Sequence, residues 1–503
     1  MKKIALTVLA LALSVLTVSA QWAPAGDRIR TTWAEQINPS NVLPEYPRPL
    51  MERTDWMNLN GLWDYAVTAV DAAKPAQADG QILVPFAIES SLSGVGRMLS
   101  DQENLWYKRS FTVPSSWKGK HVLLHFGAVD WKADVWVDDV YVGGHTGGYT
   151  PFSFDITEAL IAKGVHTLTV KVWDGTDRGY QPRGKQVSNP EGIWYTAVSG
   201  IWQTVWMEPV AEHYIADLRI TPDIDARTLT IEPAVSCPAK GDLAEVTVFD
   251  GKTVVASARS LGGQPVVVNM PADAHLWCPD DPFLYTLKVE LKKGGKTVDK
   301  VESYAAMRKF STGRDAQGYY RMMLNNKPLF QMGPLDQGWW PDGLYTAPTD
   351  EALLSDVLML KKMGFNMIRK HVKVEPARWY WWCDKLGIIV WQDMPAIADP
   401  AKTHRSEEVT KMQANVWSSD TFTRGTDCVV PQEWKDNYYK EWGEIISCLK
   451  GFQCIGVWIP FNEAWGQFDT EAGNEAFAEL MTDAGARWVI PSVRNDLAMK
   501  SWR

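Results

Sequence analysis

The chain changes its pattern near residue 320, and this change constrains the fold more than any other feature. From about residue 56 to 311, short β-rich runs such as "HTLTVKVWD" and "TLTIEPAVS" are separated by Asp, Gly and other turn residues. This spacing is typical of β-sandwiches. After residue 320, apolar strands alternate with helical segments. Thr349-Asp350-Glu351 predicts the start of a helix with Leu353, Leu354, Val357, Leu358 and Met359 mostly on one face. A second helix is predicted from Gln432, and its buried stripe consists of Trp434, Tyr438, Trp442, Ile445 and Leu449. Strands that are apolar on both faces and alternate with helices predict a parallel sheet covered by helices.

The length of 503 residues predicts several domains, because one hydrophobic core does not extend over such a chain. The pattern divides the chain into a β-sandwich at 21–210, a smaller immunoglobulin-like β-sandwich at 211–311 and a (β/α) barrel domain at 312–503. A dinucleotide-binding fold is disfavoured, since no Gly-rich phosphate turn follows the first strand of the α/β region.

Residues 1–20 have the pattern of a cleaved signal peptide. Lys2 and Lys3 precede an apolar stretch, and Val18-Ser19-Ala20 supplies small residues at the cleavage positions. The stretch is short for a membrane span, and no other segment approaches about 20 apolar residues. We therefore expect a secreted or periplasmic protein without a membrane-spanning segment.

Charge and cysteine usage exclude several function classes. The net charge is −9 and there is no Lys/Arg run, so nucleic acid is not an expected partner. The six cysteines and eight histidines form no metal-binding pattern, and we expect neither a metal nor a cofactor. Isolated thiols are favoured, although a bridge between Cys237 and Cys278 stays open. No feature indicates an oligomeric state.

Polar side chains occur where the predicted parallel strands end. The strands are "PLFQMG", "FNMIRK", "IIVWQ" and "CIGVWIPF". Their ends carry Asp336, then Arg369 and His371, then Gln392 and Asp393, and finally Asn462 and Glu463. In a (β/α) barrel these ends form the active-site mouth. The dipeptide recurs at Asn474-Glu475, in a helical segment where an exposed Glu is ordinary.

Several motifs carry a resemblance to a known family. They are "LNGLWDY", "GIWQTVWMEPV", "LWCPDDPFLYTLKVEL", "GFNMIRKH" and "VWIPFNEAW". On these motifs the chain resembles glycoside hydrolase family 2, the family of β-galactosidases, β-glucuronidases and β-mannosidases. The resemblance implies an N-terminal sugar-binding jelly roll, an immunoglobulin-like domain and a (β/α)8 barrel that is present only in its first half.

The resemblance also implies roles for individual residues. It implies a retaining, exo-acting β-glycosidase with two carboxylates about 5 Å apart. Glu463 matches the acid/base, and burial beside Trp458 and Trp465 is expected to raise its pKa. Asn462 matches the ligand of the sugar 2-hydroxyl, and Arg369 matches an arginine that orients the nucleophile. The implied substrate-binding residues are Asn462, Arg369, His371, Asp336, Asp393 and Trp465.

Other interpretations of these residues stay open. Arg369 also suits a salt bridge at the barrel mouth, and His371, Asp336 and Asp393 equally suit packing and loop hydrogen bonds. The family places its nucleophile at barrel strand seven, so we expect a C-terminally truncated chain that is inactive on glycosides. β-Galactosidase-like specificity is the default expectation. β-Glucuronidase, mannosidase, arabinopyranosidase and a non-catalytic carbohydrate-binding protein are the alternatives.

Overall fold

The computed structural model describes residues 22–397, 430–462, 468 and 488–489. The predicted signal peptide, residues 1–20, lies outside the described residues. Most of the described chain is β-structure, with three α-helices at Asp350–Lys362, Ala377–Leu386 and Gln432–Leu449. None of the described helices is both long and apolar enough to cross a membrane.

The first β-sandwich packs a six-stranded antiparallel sheet against a four-stranded one. In spatial order the larger sheet contains Gly80–Val84, Gly61–Ala69, Glu103–Thr112, Val165–Trp173, Lys132–Val137 and Val140–Thr146. The smaller sheet contains Met57–Asn58, Val205–Val210, His121–Phe126 and Phe152–Asp155, and a ribbon pairs Val129–Asp130 with Gly200–Ile201. Alternate residues of both sheets point inward and share one apolar core that includes Leu124, Val135 and Val170.

The second β-sandwich has a three-stranded and a four-stranded sheet, an arrangement typical of immunoglobulin-like domains. The strands are Tyr214–Asp223, Thr228–Ser236 and Val266–Asn269 in one sheet, and Thr253–Leu261, Leu243–Asp250, Tyr285–Lys293 and Lys296–Ala305 in the other. It has its own core, which includes Ile231, Val248 and Leu287. Cys237 and Cys278 are free thiols, so the bridge between them is not formed.

An antiparallel ribbon leads into the α/β region, with strands Phe310–Arg314, Tyr320–Leu324 and Lys327–Pro328. The strand predicted in "PLFQMG" is wrong, because the first parallel strand begins only at Leu335. The side chain of Asn366 accepts from the amide of Met332 at 2.8 Å and donates to the carbonyl oxygen of Phe330 at 2.8 Å. These bonds occupy backbone groups that a sheet ladder would pair.

The parallel sheet has five strands, which neighbour each other in chain order. They are Leu335–Asp336, Met367–Lys370, Ile389–Asp393, Ile455–Ile459 and Trp488–Val489, and every neighbouring pair is parallel. The sequence pattern predicted the second, third and fourth strands at these places. It did not predict the fifth.

The three helices cover this sheet largely as predicted. Thr349 caps the first helix by accepting from the amide of Ala352 at 3.2 Å. Met359 was assigned to the buried face of that helix and is instead exposed. The helix Gln432–Leu449 buries its predicted stripe of Trp434, Tyr438, Trp442, Ile445 and Leu449.

Candidate active site

Three polar or aromatic side chains of the parallel sheet point toward the helices, because side chains alternate between the two faces along a strand. Lys370, Gln392 and Trp458 are in register on neighbouring strands. The Lys370 ammonium lies 4.3 Å from the ring centroid of Trp379, and Trp458 packs edge-to-face on Trp442 with centroids 5.5 Å apart. Because successive side chains of a strand point to opposite faces, Arg369 and Asp393 lie on the other face.

On that other face, Arg369 connects three neighbouring strands. Its guanidinium donates to both carboxylate oxygens of Asp393, from Nε at 2.9 Å and from Nη2 at 2.9 Å. Nη2 also donates to Oδ1 of Asn462 at 2.9 Å. Asp393 is fully buried and Asn462 is buried. Arg369 therefore forms a salt bridge with Asp393, as one of its two interpretations predicted.

His371 belongs to the same cluster. Its Nδ1 lies 3.3 Å from Oδ2 of Asp393, and among the described residues it has no partner with hydrogen-bond geometry. The buried amide Nδ2 of Asn462 also has no hydrogen-bond partner in the described part of the chain. Of the predicted site residues, Arg369, His371, Asp393 and Asn462 therefore lie together in one cluster.

Asp336 does not join this cluster. It is in register with Lys370, whose ammonium donates to Oδ2 of Asp336 at 2.6 Å and to Oε1 of Glu375 at 2.8 Å. Lys373 donates to the same Glu375 oxygen at 2.9 Å. Burial acts to raise the pKa of Asp336, and the charges of Lys370 and Lys373 together with the hydrogen bonds to the carboxylate hold it below its usual value. Asp336 therefore lies in a separate cluster of charges that support the mouth.

Residue patterns missed this lysine–carboxylate cluster. Lys370, Lys373 and Glu375 are almost completely buried, although "RKHVKVEP" is one of the more charged stretches of the α/β region. A charged stretch is usually assigned to the surface. The only available signal was its position directly after a buried strand, where barrel active sites lie.

Two predicted site residues, Glu463 and Trp465, lie outside the described residues. Trp458 was expected to shield Glu463 from water, but its indole is buried against the helix residue Trp442. Gln392 also faces the helices, where its Oε1 accepts from the Tyr380 hydroxyl at 2.6 Å. Trp458 and Gln392 thus support the sheet from its helix side.

A long loop of the first β-sandwich, residues 174–199, also reaches the strand ends. The amides of Arg183 and Gly184 donate to the carbonyl oxygen of Ala396 at 2.9 and 3.1 Å. Tyr195 stacks on Trp339 with centroids 4.5 Å apart and an interplanar angle of 11°. The sequence pattern did not predict this contact, because it joins segments that are distant along the chain.

Two antiparallel sandwiches followed by a parallel sheet, whose strand ends hold Arg, His, Asp and Asn side chains, define a multidomain protein with a polar site at the ends of its parallel strands. Two family models match regions of the chain. The model for "Glycosyl hydrolases family 2, sugar binding domain" matches residues 92–208, and the model for "Glycosyl hydrolases family 2" matches residues 213–308. Two regions of the chain, residues 92–208 and 213–308, thus match domains of glycoside hydrolase family 2.

Curated relatives of the chain have two kinds of name. A putative β-glucuronidase of Formosa agariphila is 27% identical over 58% of the chain and 35% of its own length. A β-galactosidase of Thermoanaerobacter pseudethanolicus is 26% identical over 58% of the chain and 39% of its own length. A β-glucuronidase of Paenibacillus borealis is 24% identical over 85% of the chain and 70% of its own length. The chain thus spans well under half the length of the first two.

Solved structures share the fold. The β-glucuronidase of Ruminococcus gnavus superposes with a TM-score of 0.67 at 17% identity, over 89% of this chain and 73% of that one. The β-D-glucuronidase of Dictyoglomus thermophilum superposes with a TM-score of 0.65 at 19% identity, over 87% of this chain and 72% of that one.

Proposed function

We propose that the chain carries the acid/base half of the active site of an exported, exo-acting, retaining β-glycosidase, with Glu463 as the acid/base. The observation that carries the proposal is the Arg369 bridge, because it holds Asp393 and Asn462 together, and Asn462 immediately precedes Glu463 in the chain. A retaining enzyme needs a second carboxylate about 5 Å from the first. Asp393 is unsuited to that role, since both its oxygens accept from Arg369.

Asn462 is suited to hold the sugar. Its Oδ1 accepts from Arg369, which orients the amide, and its buried Nδ2 has no hydrogen-bond partner in the described part of the chain. A buried donor without a partner costs about 1 to 3 kcal/mol, and a sugar hydroxyl that accepts from it recovers that cost. This fits the role of Asn462 as the ligand of the 2-hydroxyl.

The sheet supports a barrel as the catalytic framework. Five parallel strands that neighbour each other in chain order, with helices between the first four, are the pattern of the first part of a (β/α)8 barrel. Relatives named β-galactosidase and β-glucuronidase leave both specificities as candidates for the whole enzyme. The working assignment for the whole enzyme is a β-galactosidase-like activity.

Glu463 is tested by its dependence on the leaving group. A full-length enzyme that contains this chain and its Glu463→Ala variant are assayed on aryl β-glycosides whose phenols span a wide pKa range, with Glu475→Ala as the control from the recurring dipeptide. We expect a loss of about 10²- to 10⁴-fold on poor leaving groups and a much smaller loss on phenols that need no protonation. Equal losses on all substrates, or an equal effect of Glu475→Ala, would remove Glu463 from the acid role.

A further inference from the structure

The three regions of the chain meet around a cavity that is separate from the candidate active site. Its volume is about 540 Å³, within the range of about 300 to 1,000 Å³ that is usual for small-molecule pockets. The first sandwich lines it with the outer face of its smaller sheet, the second sandwich with the strand Tyr214–Asp223, and the α/β region with the last turns of the helix Gln432–Leu449. Arg369 and Asn462 do not line this cavity, so a ligand in it lies outside the mouth.

His125 contributes to the wall that the first sandwich forms. Its side chain lies on the outer face of the sheet because strand alternation turns Leu124 and Phe126 into the sandwich core. The ring stacks on Trp206 with centroids 4.8 Å apart, and Nδ1 lies 2.5 Å from Oγ of Ser153. The other ring nitrogen, Nε2, is buried and has no hydrogen-bond partner in the described part of the chain. The His125 side chain, only 4% exposed, thus keeps one polar atom available.

The neighbouring carboxylate of Glu208 is already occupied by other donors. Its Oε1 accepts from the Tyr46 hydroxyl at 2.5 Å and from the Trp206 indole at 2.8 Å. Its Oε2 accepts from Arg48 at 2.9 Å, whereas Nε2 of His125 is 3.7 Å away. Burial lowers the pKa of His125 to about 3, so the ring is neutral at physiological pH. His125 is therefore not held in the ion-pair network of Glu208.

His145 brings a second ring nitrogen of this kind to the cavity. Its ring stacks on Phe152 with centroids 4.3 Å apart and an interplanar angle of 12°. Nδ1 is buried and, among the residues that the structure describes, has no hydrogen-bond partner. Burial and the nearby charge of Lys440 lower the pKa of His145 to about 4. Two neutral imidazoles therefore line one cavity, each with a buried nitrogen that a ligand can use.

The charged side chains around the cavity balance one another. Of the described residues that line it, four are cationic and five are acidic. Arg48 pairs with Glu208, and Arg378 donates to both carboxylate oxygens of Asp350 at 2.6 and 2.7 Å. A wall without a dominant sign of charge does not select an ionic ligand.

A hydroxyl group suits both imidazoles. A neutral imidazole has one donor and one acceptor nitrogen, and a hydroxyl both donates and accepts, so it pairs with either nitrogen in either tautomer. Thr150, Ser153 and Gln203 add further polar groups to the wall, and Leu218 and Leu353 add apolar ones. A neutral molecule with several hydroxyls and some C–H surface, which is the chemistry of a small saccharide, matches this lining.

We propose that this cavity binds a neutral saccharide of one or two sugar rings, whose hydroxyl groups pair with Nε2 of His125 and Nδ1 of His145. The cavity is thus a second saccharide site of the chain, outside the mouth. This site is independent of the proposed catalytic role of Glu463.

Binding to the full chain tests this site. The ligands are methyl β-D-galactoside, methyl β-D-glucoside and lactose as neutral saccharides, D-glucuronate as an anion and indole as an apolar compound, measured by titration calorimetry or ligand-observed NMR. His145→Phe removes the ring nitrogens and keeps an aromatic ring against Phe152. Ser447→Trp fills the cavity from an exposed position on the helix. Asp436→Trp is the matched control, because Asp436 is exposed on the same helix and does not line the cavity.

We expect at least one neutral saccharide to bind, and His145→Phe and Ser447→Trp each to weaken this binding by about 10-fold or more. The same site should persist in Asp436→Trp and in Asn462→Ala, which alters the mouth. An unchanged thermal midpoint of Ser447→Trp shows that the loss is not due to unfolding.

Three outcomes overturn the proposal. Binding that Asn462→Ala removes and Ser447→Trp leaves unchanged assigns the saccharide to the mouth. Tighter binding of D-glucuronate or indole than of every neutral saccharide assigns the cavity to another class of ligand. No binding of any ligand removes the site altogether. None of these outcomes bears on Glu463, whose role is tested by the leaving-group series.

Discussion

The guanidinium of Arg369 and the carboxylate of Asp393 form a two-bond ion pair, with both donor–acceptor distances at 2.9 Å. The carboxylate is fully buried and the arginine side chain is partly exposed. Such a pair costs desolvation energy when it forms, but losing one partner leaves a buried charge without compensation. Arg369 therefore has a structural role as well as its place beside Asn462.

Removal of Arg369 is expected to destabilise the fold. Arg369→Met should lower the free energy of unfolding by about 3 kcal/mol or more, because Asp393 is left charged and buried. Urea unfolding measures this change. The double variant Arg369→Met/Asp393→Asn should recover part of the loss. As a control, Arg321→Met breaks an exposed pair with Asp315 and should leave the midpoint unchanged. A single-variant loss no larger than that of the control would contradict the structural role.

Asn462 is expected to act through the sugar 2-hydroxyl. Asn462→Ala should lower kcat/KM of the active enzyme by about 10²-fold, because contacts to the 2-hydroxyl strengthen in the transition state by several kcal/mol. The matching measurement uses a 2-deoxy glycoside. On that substrate the variant and the wild type should differ little, since the hydroxyl is already absent. A similar loss on both substrates would assign Asn462 to the framework.

Gly184 is expected to control how the sandwich loop docks. Gly184→Ala should lower both the thermal midpoint and glycoside binding, because the added Cβ would lie 2.4 Å from the carbonyl oxygen of Val372. Gly192→Ala is the matched control: Gly192 lies on the same loop at φ +60°, and its Cβ would meet nothing within 4 Å. Both variants carry the strain of a positive φ, about 1 kcal/mol. The effect of Gly184→Ala beyond that of Gly192→Ala therefore measures the contact with Val372.

Glu441 is expected to make stability depend on pH. Burial raises its pKa to about 7, against hydrogen bonds from Trp131 and Asn437 that lower it. A carboxyl with a raised folded-state pKa binds more protons when folded. The free energy of unfolding therefore falls as pH rises from about 4.5 to about 7, and this contribution levels off at higher pH.

Glu441→Gln removes this titration and should reduce the loss of stability between about pH 5 and pH 8 by on the order of 2 kcal/mol. Chemical unfolding at a series of pH values measures the slope. Glu444→Gln, on the same helix, controls for the removal of one carboxylate. If the slope of Glu441→Gln matches that of the wild type, the carboxyl is not protonated in the folded state.

Local patterns predicted much of the architecture. Strand periodicity predicted the two sandwiches and three of the parallel strands, and the apolar stripe from Trp434 to Leu449 predicted a buried helix face. Thr349 identified a helix start. These features depend on residues within a few positions of one another. The strand in "PLFQMG" was wrong because the side chain of Asn366, far along the chain, occupies its backbone groups.

The candidate site was predicted in part. The rule that polar side chains gather at parallel strand ends placed Arg369, His371, Asp393 and Asn462 together. The same rule placed Asp336 in this cluster. In the structure Asp336 is in register with Lys370 and belongs to a different cluster. Strand register is a tertiary property, and one step in register exchanges the two faces of a sheet.

By itself, the sequence determined most of the strands and helices and which polar residues follow the strands, since periodicity and capping are local properties. Only the tertiary structure decided that Arg369 pairs with Asp393 and that a sandwich loop brings Arg183 and Gly184 against Ala396, just beyond the third parallel strand. Those contacts join residues from separate domains or strands. Their distances depend on how the domains pack, which no local pattern encodes.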